Sequence, residues 1–259
     1  MDKLFSLEGR IALITGGSRG IGEMIAEGFV RSGAKVYITA RKAGPCQETA
    51  ARLSQYGECI ALPLDVSGAG GAAALAERYL ALEQRLDILV NNAGAAWGGQ
   101  FGEFPEVGWD KVMDLNVKTP FFLAQALYGA LKAAATPDQP AKIINIASID
   151  GISVNMQDTY SYAASKAGLI HLTKRMALSL AKDNIIVSGI APGAFASEMN
   201  KAARDEGDRL AKDIPSGRIG QKNDMAGAAI FLASSAGDYV VGSTLPVDGG
   251  VSWTRLVTG

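Results

Sequence analysis

A tyrosine and a lysine one helical turn apart are the residues of this sequence best suited to proton transfer. Tyr162 and Lys166 lie in the segment Tyr-Ala-Ala-Ser-Lys, and this spacing places both side chains on one face of a helix. Reduction of a ketone by hydride leaves an alkoxide that needs a proton, which a phenol can supply. An ammonium group ~4.5 Å away, at an effective dielectric of ~20, would stabilise a phenolate by about 3.7 kcal/mol. An amphipathic helix with an incidental tyrosine and lysine is the alternative.

A glycine-rich segment is suited to binding a phosphate group. The run from Gly16 to Gly22 reads Gly-Gly-Ser-Arg-Gly-Ile-Gly and stands between an apolar run and an amphipathic segment. Glycines leave room for a pyrophosphate, and the N-terminus of a following helix offers unpaired N–H donors. The spacing is GxxxGxG rather than the usual GxGxxG. A turn without a ligand is the alternative, but the position between a strand and a helix favours a dinucleotide site.

Two arginines favour NADP(H) over NAD(H). NAD enzymes usually place a carboxylate on the adenosine ribose about 20 residues after the glycine loop, whereas this sequence reads Ile-Thr-Ala-Arg-Lys from residue 38 to residue 42. The guanidinium of Arg41 matches the oxygens of the 2′-phosphate, and Arg19 in the glycine loop is a second basic residue. Either arginine alone could be a solvated surface charge. Together they predict NADP(H) as the cofactor.

Short apolar runs alternate with longer helical patterns along the chain. This alternation predicts one α/β domain over residues 1–259, a Rossmann-type doubly wound parallel sheet of about seven strands flanked by helices. The predicted strands are Arg10–Thr15, Lys35–Ala40, Cys59–Asp65, Ile88–Asn91, Lys142–Ala147, Ile185–Ile190 and Ser243–Val247. The predicted helices are Gly20–Ser32, Gln47–Tyr56, Ala72–Glu83, Trp109–Ala133 and Tyr160–Lys182. In such a sheet, ligands bind beyond the carboxyl ends of the strands.

One charged, helix-prone segment interrupts the alternation. Residues 194–215 follow the sixth predicted strand without a clear pattern. Loops in this position often cover a binding site. We predict a substrate lid, with a solvated excursion as the alternative.

Composition narrows the classes of partner and location. The 25 Lys and Arg balance 26 Asp and Glu, so no overall field attracts nucleic acid or a membrane surface. No run approaches the roughly 18 apolar residues of a membrane span, and the N-terminus lacks a signal-peptide layout. Cys46 and Cys59 form no metal-binding pattern. We expect a cytoplasmic protein with reduced thiols, no metal, and a small carbonyl or alcohol compound as its substrate.

Several segments together resemble the short-chain dehydrogenase/reductase family. They are Thr-Gly-x-x-x-Gly-Ile-Gly from Thr15, Asn-Asn-Ala-Gly from Asn91, the Tyr162–Lys166 segment, and Val-Asp-Gly-Gly from Val247. The resemblance spans nearly the whole chain. Within the family, the runs Ile144–Ser153 and Ala191–Met199 look most like the NADPH-dependent β-ketoacyl reductases associated with rhamnolipid synthesis.

The resemblance implies a set of four catalytic residues. Tyr162 would exchange the proton, and Lys166 would lower its proton affinity and hold the ribose hydroxyls. Ser148 would bind the substrate carbonyl, and Asn116 would hold a water behind the lysine. Taken separately, Ser148 could cap a turn and Asn116 could satisfy buried backbone groups. Tyr160 has no lysine partner on its helix face, and His171, the only histidine, is expected to pack or face solvent.

The resemblance also implies the residues that contact the cofactor. Asp65 matches the position that binds the adenine amino group, although an Asp there could equally cap a helix. Ser197 stands where many members have threonine, in the segment that closes over the nicotinamide. The full set is Gly16, Ser18, Arg19, Gly20, Ile21, Gly22, Arg41, Asp65, Val66, Asn92, Ala93, Gly94, Tyr162, Lys166, Pro192, Gly193 and Ser197.

The function implied is hydride transfer between NADP(H) and a ketone or secondary alcohol, with a β-ketoacyl substrate as the narrower expectation. A sugar or polyol dehydrogenase of the same family and a catalytically silent nucleotide sensor are the alternatives. A homotetramer or homodimer is implied by the resemblance. Candidate residues lining the substrate pocket are apolar or aromatic for the most part. They are Ala95, Trp97, Ile149, Met156, Gln157, Tyr160, Phe195 and Met199.

Overall fold

The computed structural model describes residues 3–68, 70–198 and 200–254, except for the side chains of residues 201 and 202. Seven parallel strands form one sheet in the order β3-β2-β1-β4-β5-β6-β7. The predicted fold class and strand number are confirmed. The strands are β1 Ile11–Thr15, β2 Lys35–Thr39, β3 Cys59–Ala61, β4 Ile88–Asn91, β5 Ala141–Ile146, β6 Ile185–Pro192 and β7 Thr244–Val247.

Helices cover both faces of the sheet and leave the central strands buried. Every residue of β4, β5 and β6 is buried, which explains why these strands read as continuous apolar runs. The α-helices are α1 Gly20–Arg31, α2 Ala43–Leu53, α3 Gly71–Leu80, α4 Glu106–Met113, α5 Thr119–Ala126, α6 Tyr128–Ala134, α7 Tyr160–Leu180, α8 Lys201–Asp205, α9 Gly207–Ala211 and α10 Lys222–Ala233.

The winding direction of the sheet reverses between β1 and β4. The chain runs from β1 outward to β2 and β3, and then returns to place β4 on the other side of β1. Loops after these two central strands therefore diverge and leave a crevice at the carboxyl edge. The crevice therefore opens at the carboxyl edge of the sheet, which is the edge predicted to bind ligands.

Three elements differ from the sequence prediction. Strand β3 ends at Ala61 rather than residue 65, although the N–H groups of Leu62 and Leu64 still donate to the carbonyl oxygens of Ile38 and Ala40. The single helix predicted over residues 109–133 is divided by a π-helical turn, Asp114–Lys118, and again at Leu127. Helix α10 was not predicted, although Gln221 and Asp224 form a capping box at its start.

The two cysteines and the character of the helices relate to the expectations drawn from composition. Cys46 and Cys59 are free and buried, and burial raises the pKa of both thiols. Within the described part of the chain, no helix combines the length and apolar character that a bilayer-spanning segment needs.

Candidate active site

The glycine loop after β1 is so closely packed that side chains are excluded at two positions. A Cβ atom on Gly16, whose φ is +66°, would lie 2.8 Å from Nδ2 of Asn92. A Cβ atom on Gly22 would lie 2.3 Å from the carbonyl oxygen of Gly16. The loop therefore turns directly into α1, and the first N–H groups of that helix have no partner within the helix. This is a cradle for a phosphate group.

Thr15 ties the glycine loop to the loop that follows β4. Its Oγ1 accepts hydrogen bonds from the backbone N–H groups of Asn92 and Ala93, both at 2.9 Å. In return, Nδ2 of Asn92 donates to the carbonyl oxygens of Thr15 at 2.9 Å and Gly16 at 3.1 Å. Sequence reasoning gave Thr15 no role of its own. The available signal was its position as the first residue of the Thr-Gly-x-x-x-Gly-Ile-Gly motif.

The two arginines predicted to select the cofactor lie at the same edge of the sheet. Thr15 at the end of β1 pairs in register with Thr39 at the end of β2, and the N–H of Gly17 donates to the carbonyl oxygen of Thr39 at 3.1 Å. The loops carrying Arg19 and Arg41 are therefore neighbours. Both side chains are exposed, and neither forms an ion pair with another residue in the described ranges.

Ser148, Tyr162 and Lys166 come together beyond the end of β5. The Ser148 hydroxyl lies close enough to the Tyr162 phenol to lower the pKa of the phenol. Nζ of Lys166 is 5.5 Å from the centroid of the Tyr162 ring and donates to the carbonyl oxygen of Ile146 at 2.8 Å. Because a Cβ atom on Gly151 would lie 2.6 Å from the backbone of Lys166, the loop after Ser148 packs directly onto α7.

Burial changes the acidity of the catalytic pair more than the sequence-based estimate allowed. Removal from water raises the pKa of Tyr162 to about 12, although the Ser148 hydroxyl lowers it. The same effect lowers the pKa of Lys166 to about 8. The expectation that Lys166, helped by the positive nicotinamide of the oxidised cofactor, is about sufficient to poise the phenol near neutrality concerns the cofactor-bound site and stays a prediction. The protonated phenol is the form that carbonyl reduction needs.

Asn116 lies on the π-helical turn, and its side chain is fully engaged with protein groups. Nδ2 donates to the carbonyl oxygen of Ala95 and to Oγ of Ser165, both at 2.9 Å, while Oδ1 accepts from the N–H of Ala95 at 2.8 Å. Ser165 in turn donates to the carbonyl oxygen of Tyr162 at 2.7 Å. The side chain thus fixes the loop after β4 against the catalytic helix. The water that Asn116 was expected to hold stays a prediction.

A line of buried amides joins β4 and β5 to α7. Nδ2 of Asn91 donates to Oδ1 of Asn145 at 2.9 Å, and Nδ2 of Asn145 donates to Oγ1 of Thr173 at 2.9 Å. Buried polar networks that are fully hydrogen-bonded rigidify the groups they connect. Sequence reasoning missed this positioning role of Asn145 and Thr173, because no local spacing shows that they meet.

The other predicted cofactor residues lie in the loops that follow β1, β3 and β4. Gly94 lies between the loop and the catalytic helix, since a Cβ atom there would be 3.8 Å from Nζ of Lys166. Asp65 is exposed and caps no helix, because its Oδ1 accepts from the N–H and hydroxyl of Ser67 in a local turn. Val66 is buried beside it, and Ser18 and Ile21 are half-buried in the glycine loop.

The loop after β6 reaches across the crevice to the glycine loop. The N–H of Gly193, which follows Pro192, donates to the carbonyl oxygen of Val247 at 2.9 Å. Ser197 comes so close that a Cβ atom on Gly20 would lie 3.2 Å from its own Cβ, and its Oγ accepts from the N–H of Asn200 at 3.0 Å. These contacts bring the loop after β6 to the glycine loop, and the closure of this segment over the nicotinamide stays a prediction.

Three aromatic side chains pack together between the loop after β4 and the start of α7, and we define Phe101, Phe104 and Tyr160 as the aromatic wall. The ring centroids of Phe101 and Phe104 lie 5.7 and 5.8 Å from that of Tyr160. Asp158 anchors the wall by accepting hydrogen bonds from the Tyr160 hydroxyl at 2.8 Å and from the N–H of Gly99 at 3.0 Å. Phe101 is 83% exposed. The wall therefore keeps apolar surface in contact with water.

The residues predicted to line the pocket are not all found at its mouth. Phe195 is only 2% exposed and packs against Gly220 in the core, so its assignment to the lining is wrong. Trp97 packs against Gly108 of α4. Met156 is fully exposed in the loop after Ser148, next to the equally exposed Val154. Met199 lies outside the described residues.

The predicted lid contains two short helices, α8 and α9, and is attached at both ends. The N–H of Gly220 donates to the carbonyl oxygen of Ala194 at 2.8 Å, and the N–H of Ser216 donates to that of Gly249 at 3.0 Å. Ala203 and Ile214 are buried. Among the residues with described positions, no cluster of His, Cys, Asp and Glu is suited to hold a metal ion.

Comparisons with known proteins cover nearly the whole chain. A family model described as enoyl-(acyl carrier protein) reductase matches residues 16–252. The chain is 47% identical over 253 residues to the rhamnolipids biosynthesis 3-oxoacyl-[acyl-carrier-protein] reductase of Pseudomonas aeruginosa, covering 96% of this chain and 99% of the relative. It is 39% identical over 250 residues to the 2-dehydro-3-deoxy-D-gluconate 5-dehydrogenase of Dickeya dadantii, covering 95% and 96%.

A solved structure described as a Pseudomonas aeruginosa RhlG/NADP active-site complex has the same architecture. Its TM-score is 0.94 at 47% sequence identity, and the match covers 97% of this chain and 100% of that chain.

Proposed function

Because this chain belongs to the short-chain dehydrogenase/reductase family, we propose that it reduces a β-ketoacyl compound with NADPH at the site formed by Tyr162, Ser148 and Lys166. It is an NADP(H)-dependent oxidoreductase that interconverts a carbonyl compound and an alcohol, as are its relatives. The meeting of a phenol, a hydroxyl and an ammonium group beside the phosphate cradle is the observation that carries this proposal.

The side chains divide the work of carbonyl reduction. NADPH, when bound, supplies the hydride that reaches the carbonyl carbon. Ser148 donates a hydrogen bond to the carbonyl oxygen, and Tyr162 transfers its proton to that oxygen as negative charge develops on it. Lys166 stabilises the phenolate that remains, because its ammonium group lies within 5.5 Å of the ring centroid. Asn116 acts indirectly by fixing the loop after β4 against α7.

The glycine cradle and the two exposed arginines fit NADP(H). The cradle between Gly16 and Gly22 admits a pyrophosphate where a side chain would collide with backbone. We propose that Arg19 and Arg41 bind the 2′-phosphate, that Asp65 and Val66 contact the adenine, and that Asn92, Ala93 and Gly94 pack against the nucleotide. Tyr162 and Lys166 would hold the nicotinamide ribose, and Pro192, Gly193 and Ser197 the nicotinamide end.

Replacing Arg41 with alanine should raise the KM for NADPH by about 10-fold to 100-fold, because the variant loses charge-assisted hydrogen bonds to the 2′-phosphate. NADH lacks that phosphate, so its KM should stay within twofold or so and serve as the internal control. Steady-state kinetics with both nucleotides provide the measurement. An unchanged KM for NADPH, or a wild-type enzyme more efficient with NADH, would contradict the assignment.

The aromatic wall favours a substrate with an apolar part over a polyol. Phe101, Val154 and Met156 expose large apolar side chains around the entrance, and apolar surface kept in water beside a site commonly marks a binding surface. A gluconate-like substrate, as in the name of the Dickeya dadantii relative, would instead need polar groups for each hydroxyl. An acyl chain would cover the wall and gain free energy from the burial.

NADPH oxidation by the purified protein, measured with a panel of ketones, tests the proposed function. The panel contains β-ketoacyl thioesters of increasing chain length and gluconate-type keto acids. We expect kcat/KM to rise with acyl chain length, because each buried CH₂ contributes about 0.8 kcal/mol. Higher efficiency with the sugar acids than with every thioester would overturn the substrate class.

Further features complete the proposal. We propose that residues 194–215 act as the substrate lid and that the protein works in the cytoplasm. A homotetramer or homodimer would cover the apolar groove of about 360 Å³ between α5 and α7, which includes Phe121, Leu172 and Met176.

A further inference from the structure

One carboxylate near the catalytic residues has no part in the reaction described above. Asp150 lies two residues after Ser148 in the short 3₁₀ turn Ile149–Gly151, and its N–H donates to Oγ of Ser148 at 3.2 Å. Its side chain is half-buried. The turn that positions the Ser148 hydroxyl therefore also carries a carboxylate two residues along the chain.

The carboxylate is held by the loop that leads to the aromatic wall. Oδ1 of Asp150 accepts a hydrogen bond from Nδ2 of Asn155 at 2.8 Å, and Oδ1 of Asn155 accepts from the N–H of Gln157 at 2.8 Å. Among the described residues, no lysine or arginine forms an ion pair with Asp150. Its Oδ2 atom accepts no hydrogen bond from any described residue. One oxygen of the carboxylate thus has no partner within the described part of the chain.

The charge of Asp150 acts on both catalytic groups. It raises the pKa of Tyr162 and of Lys166, while the charge of Lys166 in turn lowers the pKa of Asp150 against the effect of burial. These three groups are therefore close enough to interact electrostatically. A charge on the substrate next to its reacting carbonyl would lie within the same range.

We propose that Asp150 determines specificity by excluding substrates that carry a negative charge beside the reacting carbonyl. This inference rests on the proposed function. A β-ketoacyl ester or thioester is neutral next to the reacting carbonyl, whereas a free β-keto acid presents a carboxylate there that Asp150 repels. Specificity commonly combines an attractive surface with such a repulsive element. Here the aromatic wall supplies the attraction and Asp150 supplies the repulsion.

Ethyl acetoacetate and acetoacetate form a matched pair of substrates for the test, because they differ only in the esterified or free carboxyl group. At neutral pH with NADPH, the wild-type protein should show a higher kcat/KM with the ester. In the variant Asp150→Asn, the ratio of kcat/KM for acetoacetate to that for the ester should rise about tenfold, as expected for one nearby charge at a partly screened site. Asparagine keeps the size of the side chain and an oxygen that can accept from Asn155.

The variant Glu77→Gln provides the control, because it removes one carboxylate from an exposed position on α3 and should leave the ratio unchanged. In Asp150→Asn, an equal change of kcat/KM for both substrates would leave the ratio unchanged. That result would indicate a purely structural role and overturn the inference. A wild-type protein that reduces neither the ester nor any β-ketoacyl thioester would overturn the proposed function itself. That outcome is distinguished from the others by the wild-type assay alone.

Discussion

Replacing Tyr162 with phenylalanine should lower kcat by about 10²–10⁴. The change removes one hydroxyl group, so the alkoxide formed by hydride addition loses its proton donor. The phenyl ring still fills the same volume on α7, and the phosphate cradle is untouched, so NADPH should lose only one hydrogen bond to its ribose and bind within about tenfold of the wild-type affinity. Steady-state turnover of a β-ketoacyl substrate and fluorescence titration with NADPH measure the two effects separately.

Tyr160→Phe is the matched control for this variant. Tyr160 lies two residues before Tyr162 on the same helix, and its hydroxyl donates to Asp158 rather than to a catalytic group. The same chemical change there should alter the wall but keep most of the turnover. Near-normal turnover in Tyr162→Phe, or an equal loss in Tyr160→Phe, would refute the role of Tyr162 as proton donor.

The variant Lys166→Met should lower kcat by about 10²–10³, because the phenolate formed by proton transfer loses its nearest cation. It should also move the pH at which alcohol oxidation begins to higher values, since oxidation needs the phenolate and the phenol becomes a weaker acid without the ammonium group. Rates of NADP⁺ reduction measured across the pH range test this shift. Lys174→Met changes an exposed lysine on the same helix and should alter neither quantity.

Loss of folding should not explain that result. Burial lowers the pKa of Lys166 from 10.5 to about 8, so the charged lysine destabilises the folded state. The effect is complete below pH 8 and is lost as the pH rises to 10.5. Methionine removes the buried charge, and the melting temperature at neutral pH should therefore not fall. A melting temperature well below wild type, with kcat per folded molecule unchanged, would contradict both the catalytic role and the energetic argument.

The sheet could be predicted because its strands leave a local record in the sequence. Strand β5 consists only of buried residues. Its largely apolar sequence between turn-forming segments predicts a buried strand without knowledge of its neighbours. Helix α10 left a weaker record, because its buried positions include Ala226, Ala229 and Ala233, small residues that do not stand out as an apolar stripe. The order of the motifs along the chain also made it possible to locate the glycine loop and the helix that carries Tyr162.

Features that depend on long-range packing could not be predicted in this way. Phe195 was expected in the pocket, but Gly220 leaves space for its ring in the core. The pKa of Tyr162 depends on how completely the fold removes water from the phenol, which the spacing to Lys166 does not reveal. Asp150 stood in a quoted motif without a role, because only the folded loop places its carboxylate near both catalytic groups.

Transfer of deuterium tests the central claim most directly. The wild-type protein is incubated with ethyl acetoacetate and NADPH that carries deuterium at both hydrogen positions of C4 of the nicotinamide, and the hydroxyester is analysed by mass spectrometry and NMR. If the site made by Tyr162, Ser148 and Lys166 receives a hydride from NADPH, the product will carry one deuterium on its carbinol carbon, and Tyr162→Phe will form it far more slowly. Product without deuterium at that carbon, or no product from any β-ketoacyl compound, would contradict the proposed reaction.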